Sequence, residues 1–358
     1  MKKVILAMIL LIINCVFINV YAISTCNTGN KFENKKEVSM DFELLPTMDS
    51  KSDAKNQVWV GTFQLVWNDL IDELVKHPIE FVGYKSAMAE ALNKKSFGVN
   101  DLSESSYYKK LGLASPELKI EIEDGIKQKF NEKSDILDSI DWTPADKKYI
   151  LYAMLKKDFE FVEKFVKLDK GKFNGSEGEV EYFGINDDSM DAQRKSVSVL
   201  FYNNKDNYAV ALKSKQGDIV QLYRTNDNKT LSDYYKDMNE MANKRDYTSF
   251  LTEEDQFKAP MMDFKSIREF DELCNKEIKN SDLIISKAIE TIQFKMDEAG
   301  VKLKSEAAIA TEFGCLPSFK PEPRYFYFDD KFVMFISEEG KKPYFAMKVT
   351  DAAKLQDK

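Results

Sequence analysis

The sequence predicts an α+β protein on two observations. Apolar residues recur every three to four positions in two stretches between residues 64 and 130, whereas from residue 179 they alternate with a period of two. A chain that forms helices early and antiparallel strands late segregates its two kinds of element, unlike the βαβ alternation of a parallel sheet.

Taken in order, Gln64 to Lys76 carries Val66, Leu70 and Leu74 in one row and Trp67, Ile71 and Val75 in another, both at i, i+4, which is an amphipathic helix. Ser115-Pro116 reads as an N-cap followed by proline at the first helical position, and Leu118, Ile122, Ile126 and Phe130 then repeat every four residues. Thr143-Pro144 is a second start of that kind. Tyr149 to Leu155 is apolar throughout, which fits either a buried helix or a central strand covered on both faces. Beyond 179, Val197, Val199 and Phe201 alternate with serines, Asn203 to Asp206 turns, and Tyr208, Val210 and Leu212 alternate again. After Gln216-Gly217 the pattern continues through Ile219 to Tyr223, giving an antiparallel meander. Thr230 caps a helix through Tyr234, Met238 and Met241. Ile267, Phe270, Leu273 and Ile278 suggest another helix. Ile292, Phe294 and Met296 form a half-buried strand, and Phe326 to Lys348 a closing hairpin that turns at Glu338 to Lys341.

The chain of 358 residues, 43% hydrophobic, can bury a large core, and its few Gly and Pro (14 and 9) exclude collagen-like and linker-dominated chains. A net charge of −8 and a pI near 5.1 supply no surplus of phosphate-neutralising charge, which argues against a nucleic-acid partner. Lys2 and Lys3, the apolar run Val4 to Val20 and the small-x-small pattern Val20-Tyr21-Ala22 read as an export signal over residues 1–22. The expected product is secreted and carries no membrane segment once the signal is removed. A polar leader follows over 23–55, with one short strand, and then a single domain over 56–358. Cys26, Cys274 and Cys315 remain, an odd number without a CxxC pair, and are read as buried or idle thiols.

No constellation signals an enzyme, a cofactor or a metal. Histidine occurs once, as His77 at a helix end, which starves any Ser-His or Cys-His site. Asp187, Asp188 and Asp191 do not have the spacing of a calcium loop, and no phosphate-binding glycine motif is present.

The last third is more informative. Ile285 to Gly300 (ISKAIETIQFKMDEAG) resembles, without gaps, the strand that leads to the hinge in serpins, V-S-x-x-x-H-K-A-x-I-E-V-x-E-x-G. Four further residues, Val301 to Lys304, precede Ser305-Glu306-Ala307-Ala308-Ile309-Ala310-Thr311, which resembles the T-E-A-A-A-A-T run. Phe328 to Ile336 and Tyr344 to Val349 resemble the family's two closing strands, and Pro260 with Phe264-Lys265 its P-K-F segment. The resemblance is ordered over about residues 140–350. It implies helices around a large mixed sheet, a second antiparallel sheet and an exposed reactive loop. It also implies a monomeric inhibitor whose partner is an extracellular serine or cysteine protease. Cleavage of the loop would let its upstream part insert as a new strand of the main sheet. The implied hinge residues are Glu298, Gly300, Val301, Leu303, Ser305, Ala307, Ala308, Ala310 and Thr311. The scissile bond falls among Gly314, Cys315, Leu316, Pro317, Ser318, Phe319 and Lys320, where alignments from the two ends disagree.

Period-two chemistry fits insertion. Val301, Leu303, Ser305, Ala307, Ile309 and Thr311 form one row, and Lys302, Lys304, Glu306, Ala308 and Ala310 the other. Leu303 and Ile309 are larger than the family's usual residues. The family also holds its sheet centre with a Ser, an Asn and a His, whose positions here carry Gly61, Tyr152 and Glu290. A hydrogen bond from Tyr152 to Glu290 is the expected substitute, since a buried carboxyl needs a partner. These departures keep a second expectation open, a non-inhibitory binding or structural protein on the same fold.

Overall fold

A computed structural model describes residues 42–134, 136–144, 146–187, 189–244, 249–302 and 323–356. The signal segment, Cys26, Cys315, and the loop positions from Leu303 to Lys320 lie outside the described residues.

In chain order the strands begin with β1 (Phe42–Leu45), β2 (Asn56–Val60), β3 (Tyr107–Leu113), β4 (Lys148–Leu155), β5 (Asp158–Glu160), β6 (Val166–Lys172) and β7 (Glu179–Ile185). The meander follows as β8 (Val197–Asn204), β9 (Asn207–Lys213) and β10 (Asp218–Arg224). Next come β11 (Ser249–Phe250), β12 (Gln256–Pro260), β13 (Met262–Glu269), β14 (Ile284–Ile285), β15 (Ile289–Met296) and β16 (Gly300–Lys302). The last are β17 (Tyr325–Tyr327), β18 (Phe332–Glu338) and β19 (Pro343–Val349). The α-helices are α1 (Thr62–Asp69), which runs on as a π-helical turn over Leu70–Val75, α2 (Ala87–Leu92), α3 (Pro116–Phe130), α4 (Asp191–Lys195) and α5 (Leu231–Asn243).

Among the described residues the largest sheet has the order β1-β2-β19-β18-β10-β9-β8-β11. It is mixed, because β1 runs parallel to β2 while its other pairs are antiparallel. Every residue of β18 and β19 is buried, so the closing hairpin expected from the sequence forms the centre of the core. Gly340 supplies the left-handed residue of its turn, at φ 75°. A second sheet has the order β17-β12-β7-β6. Two further groups, β13-β15-β16-β5 and β14-β4-β3, border the site, and the inward residues of the first pack into the cluster of the main sheet.

The meander, the helix at Thr230 and the helix at Ser115 form where the sequence puts them. Ser115 Oγ accepts from the Leu118 N–H at 3.1 Å, while Leu118, Ile122, Ile126 and Phe130 face one cluster. Tyr149 to Leu155 resolves as strand. Ile150 and Tyr152 point into the cluster under α3, and Leu151 and Ala153 pack against the cluster around α1, so both faces are covered. Such a strand carries no alternation, which explains the unbroken apolar run. The helix expected from Ile267 to Ile278 does not form. Ile267 sits in β13, which pairs with β15 over its whole length, and Phe270 and Leu273 belong to a short 3₁₀ turn after it. The ladder outweighs a local spacing that three residues satisfy by coincidence.

Candidate functional site

β15 and β4 do not pair with each other. Between them runs a groove of about 430 Å³, walled by Leu151 to Lys156 on one side and Ile289 to Gln293 on the other. Val60, Thr62, Phe63, Val66 and Phe345 form its floor, and the segment Glu132 to Ser134, just after α3, stands at its mouth. The walls are parallel, because β16 is antiparallel both to β15 and to β5, and β5 continues the course of β4. Backbone N–H and C=O groups on facing edges of two parallel strands fit a strand laid antiparallel between them.

β16 occupies one end of this gap. Lys302 stands opposite Lys295 on β15, and Gly300, Val301 and Lys302 stand opposite Glu160, Phe159 and Asp158 on β5. The turn into it is tight. Asp297 N–H donates to the Gly300 carbonyl at 3.0 Å, and Ala299 N–H donates to Asp297 Oδ1 at 2.9 Å. A Cβ on Gly300 would overlap the Phe159 carbonyl, so glycine alone allows this approach. Val301 is fully buried and Lys302 exposed, which sets the alternation at the strand's start. Glu298 anchors the turn from outside through its carbonyl, which accepts from the Phe165 N–H at 2.9 Å, and its carboxylate pairs with Lys164 at 3.4 Å.

The three sheet-centre positions do not act as the sequence suggests. Tyr152 points to the α3 face, with Tyr108 6.3 Å away ring to ring, whereas Glu290 belongs to the inward row of β15. They lie on opposite faces, so the expected Tyr152–Glu290 hydrogen bond does not form. Thr62 Oγ1 donates to Glu290 Oε1 at 2.9 Å instead. Burial pushes the Glu290 carboxyl up to about 8, against the hydrogen bonds from Thr62 and from the Phe63 N–H and the charge of Arg268. Gly61 is occupied from above, since a Cβ there would overlap the ring of Phe97.

Two buried ion clusters outside the groove are not legible in the sequence. Beyond β4, Lys157 Nζ reaches Glu338 Oε1 at 2.6 Å and Asp218 Oδ1 at 2.9 Å, tying the segment between β4 and β5 to β18 and β10. Burial raises Glu338, but hydrogen bonds from Lys157, Lys341 and Ser103 outweigh it and hold the carboxyl at about 2. Asp218 goes the other way, since burial exceeds what Lys157 returns. Where the chain re-enters at β17, fully buried Asp255 accepts from Arg324 Nη2 at 2.7 Å, Arg324 Nε and N–H at 3.0 Å, and Thr252 N–H at 2.7 Å. Partners up to 235 residues apart in sequence leave no local signal.

Cys274 is a buried free thiol whose pKa burial raises.

No family model and no curated protein matches the sequence. Three solved structures illustrate what the fold is similar to. One is Serpin48 of the insect Tenebrio molitor, 14% identical over 85% of this chain and 94% of that one, with a TM-score of 0.46. Human thyroxine-binding globulin complexed with its hormone is 11% identical over 82% and 91%, with a TM-score of 0.45. A serpin of Schistosoma mansoni is 15% identical over 64% and 62%, with a TM-score of 0.39. These three solved structures, to which this α+β chain is similar, are described as two serpins and a thyroxine-binding globulin.

Proposed function

We propose that the chain is a secreted, serpin-like protease inhibitor that offers residues 303–322 as bait and takes the cut loop up as a strand between β15 and β4. The observation that supports this is the strand position between β15 and β4, which among the described residues is filled only at its entrance, by β16. Continuing the β15 register sets Leu303 opposite Phe294, Ser305 opposite Ile292 and Ala307 opposite Glu290, so the row that starts with buried Val301 enters the core face. Insertion would complete two ladders at once and bury two large aliphatic side chains, each contributing about 1.5–3 kcal/mol. The partner is an extracellular protease of the serine or cysteine type, bound by a monomer. The chain itself is not an enzyme and uses no cofactor, metal or nucleic acid.

A panel of exported proteases tests the reading. An SDS-stable complex with one of them is the expected result, together with a strong rise in thermal stability after a cut between Gly314 and Lys320. Cleavage without complex or stabilisation would favour the second reading, a binding protein on this fold. The observation on that side is the size of Leu303 and Ile309 in a row that must pack tightly.

A further inference from the structure

Glu290 is a buried carboxyl in the groove wall that strand pairing does not use. It is 5% exposed, Thr62 and the Phe63 N–H serve it from α1, and its Oε2 has no hydrogen-bond partner among the described residues. Among the described residues no cation pairs with it: Lys133, Lys265 and Lys302 of the groove lining are exposed, and the others are engaged elsewhere. Arg268, its register partner on β13, is engaged by Glu43 at 2.6 Å and by the Leu44 carbonyl. The facing stretch of β4 presents Leu151 and Ala153, and Lys156 beyond them pairs with Glu132 at 3.2 Å. Lys287 pairs with Glu269 at 2.5 Å and Lys295 with Asp263 at 2.9 Å. The floor residues Val60 and Phe345 are apolar.

We propose that Glu290 is a proton-operated latch of the groove: in its neutral form it holds β15 against the first turn of α1, and its ionised form drives the wall open. With the proton on, one oxygen accepts from Thr62 and the other is a neutral group in an apolar wall. With the proton off, the second oxygen is a buried anion without a donor among the described residues, and it is solvated only if β15 shifts from α1 far enough to let water from the groove reach it. Uptake of the loop, on which this inference rests as read above, would set Ala307 opposite Glu290 and bring no donor to it. A filled groove would therefore grip the proton harder than an empty one, and insertion would be proton-coupled.

The sign follows from the carboxyl lying above its ordinary 4.5, at about 8 in the fold. The folded chain binds this proton more tightly than the unfolded one, so the stability it brings is full below about pH 4.5, declines from there to about pH 8, and is gone above. The test is thermal unfolding of intact and loop-cleaved protein across about pH 5 to 9, in the natural chain and in Glu290→Gln. The natural chain is expected to lose stability with pH across that window while Glu290→Gln loses less, and the rise on cleavage is expected to shrink with pH only in the natural chain. Equal pH profiles in the two intact chains overturn the latch. A cleavage-induced rise that is absent in both chains at every pH overturns the inhibitor reading instead, and the intact profiles still decide the latch. Should Glu290→Gln fail to fold, Thr62→Val serves, because losing that donor would tighten the proton and move the window to higher pH. An unmoved window counts against the latch.

Discussion

A serine at position 61 has no room for its side chain. Phe97 lies across the glycine, 5.5 Å ring to ring from Trp59, and fills the space that a Cβ would take. Gly61→Ser is expected to destabilise the chain by about 1–3 kcal/mol through overpacking, read as a lower urea midpoint at unchanged slope. Position 61 was therefore legible in the sequence as a departure from the family pattern, but its reason was not, because Phe97 is 36 residues away and carries no motif. The same holds for Glu290. Its burial could be expected from the alternating row, and its need for a partner followed from charge. The partner itself, Thr62, was hidden because strand parity puts Tyr152 on the other face. Gly300 ends the hinge pattern in the sequence, and the structure gives it a packing reason, the Phe159 carbonyl against its Cα, so Gly300→Ala should push β16 away from β5. Hydrogen exchange at the Val301 amide would register the change as lost protection.

At the scale of elements, a row is readable where large apolar residues alternate with small or polar ones. α3 buries one side only, and the β8–β10 meander, though buried on both faces in β9, sets its large apolar residues apart by serines and alanines. β4 has helices and clusters on both sides, so its sequence admits two structures until its partner β3 is known. The elements bordering the groove are held by interactions of quite different worth. Ser115→Ala removes one cap hydrogen bond from α3 and should cost about 1 kcal/mol. Lys157→Met would take the shared cation from Asp218 and Glu338, 3% and 9% exposed, leaving Asp218 with only the Tyr344 hydroxyl beside its carboxylate while Glu338 keeps Lys341 and Ser103. Removing one partner of a buried pair costs about 3–5 kcal/mol, so this substitution should lower the unfolding midpoint far more than the cap change. Its pH signature is distinctive. Glu338 lies below its ordinary 4.5, at about 2, so its contribution is present above about pH 4.5 and is lost as the pH falls toward about 2. The natural chain should therefore show a steeper acid loss than Lys157→Met.

For the molecule as a whole, the question is whether the cut loop takes the strand position between β15 and β4, which among the described residues β16 alone enters. Its walls, floor and entrance come from segments spread over nearly 300 residues, from Val60 to Phe345, and no reading of local sequence assembles them. The alternation of residues 301–311, in contrast, was visible from the start, and the described end of it, Val301 inward and Lys302 outward, agrees with the expected phase. That phase permits a comparison of two charged substitutions three positions apart. If the loop enters the groove after cleavage, Ser305→Arg puts a charge into the row opposite Ile292, where burial without a partner costs several kcal/mol. It should abolish the gain in thermal stability on cleavage and turn an inhibitor into a substrate. Lys302→Glu changes a side chain that is exposed in β16, and an exposed charge swap is worth under about 1 kcal/mol, so the gain should survive. The pair separates strand register from general tolerance, since both substitutions change charge and both lie near the hinge. Differential scanning calorimetry of each variant before and after a cut downstream of Gly314 gives the answer. Equal behaviour of the two would mean that the row entering the core is not the one that Val301 begins, or that the chain binds its partner without taking up the loop.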